Sequence, residues 1–476
     1  MVSCLFRRAY ARLYVVLGLT AVLGGVGGVP SGHAQVPVDV AAARDYAQSQ
    51  SHNFWAQAWV RHLEAKTGGN GAIDWHYDDR RQLGALTDDY QQAIRAVNGF
   101  WMDLQVQDYL QRQLLAVQPH PMMPGRPGAF RLRVLSTTTP NVLALNDGTI
   151  LVTTGLLTTL RTEAQLRAVL AHEVAHVVLD HALDGYRSSQ KRSRARKVLG
   201  SIIGGVTSMV TPTLGGPAPV ESTVYGFSAD LATRYLDRDF IASAGLEYNR
   251  SQEAAATRLA QQWLLAHDEP PAALYTALQA LRRDSRTSGT AHGASFVDSH
   301  PPSADLQAAL ATIIEEAGGR PSVLDRPAPA PDSTYDTALA AVLEHEAEMD
   351  LVARRFHSAH AVLDRALRTD WTTPRTYLFK AIAVRNTTTT TAGVEKALGL
   401  LDAAERAARR PEPRIEAERA LLRVRQNEPA QARRHLARCR QQIDELRSDL
   451  PAADSLSTAH DSLYAWAQKL EGRLRE

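Results

Sequence analysis

Three residues near the middle of the chain have the types and the spacing needed to bind a metal ion and activate water. His172 and His176 are four residues apart, so on a helix their imidazoles project from the same face. Two imidazoles placed in this way can occupy two corners of a zinc tetrahedron. Glu173 can then accept the proton of a water at an open corner. We therefore predict a single zinc ion per chain, with His172 and His176 as ligands and Glu173 as the catalytic base.

The pattern H-E-x-x-H is unlikely to arise by chance in this chain. With 16 His in the sequence, about 0.02 occurrences are expected. The alternative is an amphipathic helix whose histidines fill polar positions, but the neighbouring residues are mostly Val, Ala and Leu, and unpartnered polar groups are costly to bury among them. A third His in the pattern H-E-x-x-H-x-x-G-x-x-H is excluded, because the two positions concerned hold Leu179 and Ala182. We expect the third ligand to be a carboxylate from a later helix.

The elements that position these residues are expected to be a long helix and a small sheet before it. Apolar residues recur at helical spacing from about Glu163 to Leu183. Residues 130–136 (FRLRVLS) alternate apolar and polar side chains, as a strand does. Residues 141–153 (NVLALNDGTILVT) are typical of two short strands around an Asn-Asp-Gly turn. The rest of the chain is expected to be mainly helical.

Length, charge and cysteine content limit the classes of function. A chain of 476 residues with 44% hydrophobic and 22% charged residues is typical of a globular protein with two or three domains. The net charge of +2 gives no strong attraction to nucleic acid or to anionic lipid, so we expect no nucleic-acid partner and at most peripheral membrane contact. Cys4 and Cys439 cannot form a disulfide framework or a Cys-rich zinc site.

The N-terminal segment is typical of a secretory signal peptide. Arg7, Arg8 and Arg12 precede an apolar stretch, and small residues follow up to Ala34. The apolar stretch is short and rich in Gly, which disfavours the alternative of a membrane anchor. We predict cleavage after Ala34 and export of the protein, to the periplasm in a Gram-negative cell and otherwise to the medium.

A second domain is expected after a Pro/Ala-rich linker at residues 320–333, with the metal-binding domain at residues 35–319. Residues 334–476 carry a weak repeat with offsets near the 34-residue tetratricopeptide period, which predicts helical repeats that could bind a protein partner. An unrelated helical bundle is the alternative. The recurring residues are Ala359, Leu363 and Ala366, then Ala397, Leu401 and Ala404, then Ala432, Leu436 and Cys439.

Together these segments resemble the gluzincin metallopeptidases of the CAAX prenyl endopeptidase and heat-shock membrane protease type. The resemblance covers about residues 100–315 and rests on residues 140–157 (PNVLALNDGTILVTTGLL), on residues 163–181 (EAQLRAVLAHEVAHVVLDH) and on the Ser-His-Pro segment that begins at Ser299. The soluble exported branch of this family includes periplasmic proteases that assist β-barrel assembly in the outer membrane and carry C-terminal tetratricopeptide repeats. The resemblance implies an α+β, mainly α fold, with a zincin-like domain and a small sheet followed by an all-α repeat domain.

One element departs from the family pattern. The third ligand of the family is a Glu in a Glu-x-x-x-Asp element. When residues 225–249 are aligned with that element without gaps, the ligand position falls on Asp230 and the supporting Asp becomes Arg234. We predict Asp230 as the third metal ligand. The alternatives are Glu221 or Asp237 as the ligand, and for Asp230 a solvent-facing ion pair with Arg234.

Three further residues lie close to the motif or resemble family positions. His181, five residues past His176, is interpreted as a structural or supporting residue and not as a ligand. Asp180 could support a ligand, although a surface acid is the simpler interpretation. His300 could approach the metal from a loop and gate the site, or pack beside a Pro turn. Residues 188–222 could form a lid over the site or a simple excursion of the chain.

Two functions follow as hypotheses. The first is a zinc endopeptidase that cleaves polypeptides of the cell envelope or exported proteins in a quality-control role, with strand 149–153 pairing with the extended substrate. The second is a degenerate metallopeptidase with little or no activity that acts as a chaperone or scaffold through its repeats. The altered third-ligand element is the reason for the second hypothesis.

Overall fold

The computed structural model describes most of the chain beyond residue 39. The described residues are 40–68, 76–96, 98–119, 130–190, 241, 244, 246–287, 296, 300, 306–327, 329–447 and 455–475. All of them belong to one compact unit, residues 39–476. The predicted signal peptide at residues 1–34 lies outside the described residues.

Four helices precede or flank the sheet. They are α1 (Val40–Ser49), α2 (Phe54–Thr67), α3 (Tyr77–Ala96) and α4 (Leu104–Val117). The side chain of Asn53 caps α2 by accepting a hydrogen bond from the Ala56 N–H. The indole of Trp55 donates to the Val117 carbonyl over 2.6 Å, which ties α2 to the end of α4. Trp59, also on α2, is completely buried.

A small mixed sheet lies beside these helices. Its strands run in the order β1-β2-β4-β3, with β2 parallel to β4 and the other pairs antiparallel. The β3–β4 hairpin turns at Gly148, whose φ of 83° is readily available only to glycine. The predicted strand pair around this turn is therefore confirmed. The strands are β1 (Phe100–Trp101), β2 (Arg131–Leu135), β3 (Val142–Ala144) and β4 (Thr149–Thr153).

Two helices connect the sheet to the motif. Helix α5 (Thr154–Thr159) follows β4 directly, and α6 (Glu163–Val178) contains the motif. A glycine is required at position 155 because a Cβ there would lie 2.3 Å from the Thr138 carbonyl oxygen. The helix predicted from Glu163 to Leu183 is interrupted, since Asp180 takes a left-handed φ of 58° and α7 (His181–Gln190) begins after it. Arg80 holds Asp180 in this turn with two hydrogen bonds of 3.1 and 2.6 Å.

Three later helices complete the part of the molecule that surrounds α6. They are α8 (Arg250–Ala266), α9 (Ala273–Thr287) and α10 (Leu306–Glu316). Both α8 and α9 pack on α6, which is also covered by α4 and β3. Helix α6 is therefore enclosed on several sides, and its residues from Ala168 to Val178 are all buried.

The C-terminal part consists of helices packed as antiparallel neighbours along the chain. The predicted repeat positions lie buried on the second helix of each successive pair: α13, α15 and α17. Their small side chains allow the paired helices to approach closely. The helices are α11 (Ser333–Ala338), α12 (Ala340–Val352), α13 (Phe356–Ala366), α14 (Pro374–Thr387), α15 (Thr391–Ala407), α16 (Pro413–Arg425), α17 (Pro429–Arg447) and α18 (Ser455–Arg473).

Hydrogen bonds join these C-terminal helices to the segment around α5. Tyr335 is completely buried and donates its hydroxyl to the Leu157 carbonyl over 2.8 Å. Arg365 donates to the Leu160 carbonyl over 3.0 Å and also to the Thr158 carbonyl. The predicted linker contains a 3₁₀ turn at Pro321–Asp325. The domain boundary there stays a prediction, while the contacts show that the two sides are packed together.

The architecture confirms the predicted fold class, α+β and mainly α with a small sheet followed by helices. Among the described helices, none combines the length and apolar character required to cross a membrane.

Candidate metal centre

Helix α6 fixes the three residues of the motif. Thr162 caps the helix by accepting a hydrogen bond from the Gln165 N–H, and Glu163 places a negative charge at the positive end of the helix. The motif lies more than two turns further along, where His172, Glu173 and His176 are each at most 1% exposed. Such complete burial of polar groups requires partners that satisfy them.

The two histidines face each other and a third residue, Glu253. The Nε2 atoms of His172 and His176 are 3.0 Å apart. Glu253 brings Oε1 to 3.3 Å from the Nε2 of His176 and Oε2 to 3.5 Å from the Nε2 of His172. Glu253 is in the first turn of α8, where the side chains of Asn249 and Gln252 form a capping box. The cap fixes the start of the helix and so aims the carboxylate at the histidines.

His300 completes a group of four possible metal donors. One donor atom from each of His172, His176, Glu253 and His300 can be chosen so that all lie within 4.8 Å of one another. The Nε2 of His300 is 3.3 Å from Oε1 of Glu173, and both side chains are fully buried. The ring of Phe296 stacks on His300 at a centroid distance of 4.3 Å and fixes its plane.

The two buried carboxylates, Glu173 and Glu253, set the charge balance of the centre. Burial alone would lower the pKa of His300, but the charges of Glu253 and Glu173 outweigh it and raise this pKa. Burial alone would raise the pKa of Glu253, but the nearby imidazoles of His300, His172 and His176 hold it well below its usual value. Two carboxylates therefore share a desolvated space, where a cation would be a favourable partner.

His176 has two further aromatic or imidazole neighbours. Its Nδ1 is 3.0 Å from the Nδ1 of His181, and Tyr248 stacks on its ring at a centroid distance of 3.8 Å. Burial lowers the pKa of His176 to about 3 and that of His181 to about 2, so both rings are neutral near pH 7. If the Nδ1 of His176 carries the proton and donates it to His181, the Nε2 of His176 keeps a lone pair for a metal.

This group fits a divalent metal ion. Tetrahedral ligands bound at about 2.05 Å are about 3.3 Å apart, close to the 3.0–3.5 Å separations of the two Nε2 atoms and the Glu253 oxygens. Among the described residues, both carboxylate oxygens of Glu173 and Oε1 of Glu253 are buried without a hydrogen-bond partner. A metal ion and its water would satisfy these atoms.

The structure does not describe the third-ligand candidates from the sequence. Asp230 lies outside the described residues, as do Glu221, Asp237 and Arg234. Sequence analysis did not consider Glu253. A partial match to the Glu-x-x-x-Asp pattern was present in the sequence. Glu253 matches the Glu of that pattern, but Thr257 stands four residues later in place of the Asp. The alignment was anchored on residues upstream of this helix and so missed it.

Two other expectations are corrected by the structure. Asp180 forms an ion pair with Arg80 and is therefore neither a simple surface acid nor a partner of the motif in the hydrogen bonds described. Strand 149–153 cannot pair with a substrate, because β4 lies between β2 and β3 and both its edges are occupied. The outer strand of the hairpin is β3 instead, and its residues are buried.

Comparison with known proteins supports the chemistry of this centre. No curated protein matches the chain. A family model does match it over a region that contains all four possible metal donors. The family, described as Peptidase family M48, consists of metal-dependent peptidases and is matched by residues 104–313 of this chain.

Proposed function

We propose that the protein is a zinc-dependent metalloendopeptidase in which His172, His176 and Glu253 hold the metal. The observation that carries this proposal is the convergence of two imidazoles and a carboxylate on one buried point, inside the region that matches the peptidase family. Nitrogen and oxygen donors of this kind suit zinc. Glu253 takes the role that the sequence had suggested for Asp230.

Glu173 is proposed as the general base. It follows His172 directly and is fully buried, and neither of its oxygens has a hydrogen-bond partner among the described residues, although Oε1 lies 3.3 Å from Nε2 of His300. It would accept a proton from the attacking water and pass it to the amine that leaves. When bound, zinc supplies Lewis-acid chemistry, in that it polarises the scissile carbonyl and makes water more acidic.

The outer edge of β3, whose residues are buried in the structure, is proposed as the binding site for the substrate backbone. In its antiparallel pairing with β4, Leu143 lies opposite Leu151, and the Thr153 N–H donates to the Asn141 carbonyl. The alternation of an antiparallel ladder then turns the backbone groups of Val142 and Ala144 away from β4. Because β3 also packs against α6, an extended peptide added at this edge would pass close to the motif.

His300 is proposed to lie next to Glu173 in the free protein and to move away when substrate binds. In the structure its imidazole lies next to Glu173, and the two carboxylates raise the pKa of the imidazole. A site in which all four donors bound the metal would leave no tetrahedral position for water. His300 would therefore have to stay off the metal for water to bind, in keeping with the gating role suggested by the sequence. Most of the predicted lid, residues 191–222, lies outside the described residues.

We further propose that the enzyme acts on exported or envelope proteins and that its C-terminal helices bind a protein partner. The support is the basic, then apolar, then small-residue order of residues 1–34, and the buried repeat positions on α13, α15 and α17. The test is to separate the compartments of the source cells and sequence the N-terminus of the recovered protein, which should begin at Gln35. Recovery of the intact chain from the cytoplasm would contradict export.

The scaffold hypothesis receives no support from the structure. It rested on the apparent loss of the third ligand, and Glu253 supplies a carboxylate next to both histidines. All residues needed for the chemistry are present and buried.

The decisive experiment compares metal content and cleavage in two variants. Glu173→Gln should keep about one zinc per chain, measured by mass spectrometry after dialysis, and lose cleavage of an unfolded protein such as casein by a factor of roughly 10³ or more. Glu163→Gln, on the first turn of the same helix, is the matched control and should keep both properties. Cleavage by Glu173→Gln at the wild-type rate would refute the assignment, and a wild-type protein without metal would refute the zinc site.

A further inference from the structure

A pocket of about 90 Å³ lies between α8, α9 and α10, beside the metal centre. Glu253 and His300, two of the four possible metal donors, are among the residues that line it. Both of them are buried, whereas Ala309 on α10, which also lines the pocket, is exposed to solvent. The pocket therefore connects the surface of the protein to the donors of the metal centre.

The wall of the pocket is mainly apolar. Leu278 on α9 and Leu306 and Ile313 on α10 line it and are each at most 5% exposed. The ring of Phe296, which stacks on His300, is also part of the wall. Because α10 contacts both α8 and α9, the packing of the three helices fixes the shape of the pocket.

The charged groups of the lining favour neither an acidic nor a basic occupant. An acidic side chain at the inner end would face the carboxylate of Glu253, which is the one acid among the described residues of the lining. A basic side chain would face Arg258 and Arg282. Arg258 is already paired with Glu316 over 3.1 Å, and Arg282 also interacts with other groups of the protein. The apolar wall is therefore the feature that an occupant can use.

The size of the pocket limits which apolar groups it can hold. A cavity needs a volume of about 10–15 Å³ to hold one water molecule, and a cavity of about 150 Å³ can hold benzene. At about 90 Å³ the pocket has room for a branched aliphatic side chain, such as that of Leu or Val, but is small for an aromatic ring. Forcing a larger group into a packed site displaces its neighbours at a cost in free energy.

We propose that this pocket binds an aliphatic side chain of the substrate polypeptide, at a residue next to the bond that is cleaved. The proposal rests on the peptidase function proposed above, because Glu253 and His300 place the occupant beside the metal. Transfer of the side chain from water to the apolar wall favours binding. A difference of one methylene in such a pocket changes selectivity by about tenfold or more. The enzyme should therefore cut beside Leu or Val in preference to Ala, Phe or a charged residue.

The test compares cleavage of fluorogenic peptides that differ at one residue. Each peptide consists of Gly and Ser with a single central guest, which is Leu, Ala, Phe or Asp. We expect kcat/KM for the Leu peptide to exceed the other values by about tenfold or more, with the cut next to Leu as shown by mass spectrometry. Ala309→Phe fills the pocket from its exposed end and should remove this preference. Ala308→Phe is the matched control, because Ala308 is exposed on the same helix but does not line the pocket, and it should change the ratio less than about twofold.

Binding without cleavage separates this proposal from the proposed function. In the zinc-loaded Glu173→Gln protein, fluorescence anisotropy with labelled peptides should give a Kd about tenfold lower for the Leu peptide than for the Ala peptide, and Ala309→Phe should abolish the difference. If that binding preference is found but the wild type cuts no peptide, the peptidase function fails and the pocket assignment stands. The assignment is overturned if no peptide binds, if all guests are bound equally, if cuts lie away from Leu, or if Ala308→Phe acts like Ala309→Phe.

Discussion

Replacement of His181 by Phe tests how the centre holds its metal. His181 is 4% exposed, and its Nδ1 is 3.0 Å from the Nδ1 of His176. Phe keeps the size of the ring but removes the acceptor, so the Nδ1–H of His176 is left buried without a partner. Such a group costs about 1–3 kcal/mol, and the Kd for zinc should therefore rise about 5- to 150-fold.

The assay is a competition titration of zinc against a chromogenic chelator at pH 7.5. His181→Asn offers a carbonyl oxygen as an alternative acceptor and should recover part of the lost affinity. His345→Phe, a change at a partly buried His that bonds to Ser136, controls for general effects of losing an imidazole. If His181→Phe binds zinc as tightly as the wild type, the contact with His176 does not orient the ligand and the assignment of the proton is wrong.

Three other outcomes are expected. Glu253→Ala should lose most of the bound zinc while Asp230→Ala keeps it, as measured by metal content after dialysis; the reverse result would restore Asp230 as the ligand. Burial lowers the pKa of His345 from 6.5 to about 4, so the unfolded chain binds more protons than the folded protein below pH 6.5. The free energy of unfolding, measured by chemical denaturation, should therefore fall between pH 6.5 and pH 4 by up to about 3 kcal/mol more in the wild type than in His345→Gln. Burial raises the pKa of the Cys439 thiol to about 12, so in the protein that begins at Gln35 a disulfide reagent should react only on unfolding, and rapid labelling of the folded protein would contradict this burial.

The motif and the hairpin could be predicted from the sequence because local rules determine them. Spacing alone puts His172 and His176 on one helix face, and the Asn-Asp-Gly turn alone favours the hairpin. The interruption at Asp180 depends instead on Arg80, which is 100 residues away in the sequence. A local pattern gives no information about such a partner, so the helix was predicted to continue.

The proposed third ligand, Glu253, also could not be found from a local sequence pattern. Glu253 is next to the histidines because α8 packs on α6, a tertiary contact that leaves no periodic signal near the motif. Its sequence context, a capped helix start at Asn249, is common to many helices that bind nothing. The order of the strands was equally hidden, and β4 was therefore taken for an edge when it is a central strand.

The hydrogen bonds of Tyr335 and Arg365 limit where the C-terminal helices could be exchanged for those of another protein. They satisfy the carbonyls of Leu157, Thr158 and Leu160 at the end of α5, just before the helix that carries the motif. A hybrid gene that joined this peptidase domain to foreign repeats at residue 320 would leave those carbonyls without donors. Only exchanges made after α13 would preserve the contact, so helices α11 to α13 are expected to be inherited with the peptidase domain, while the later helices are not held by it.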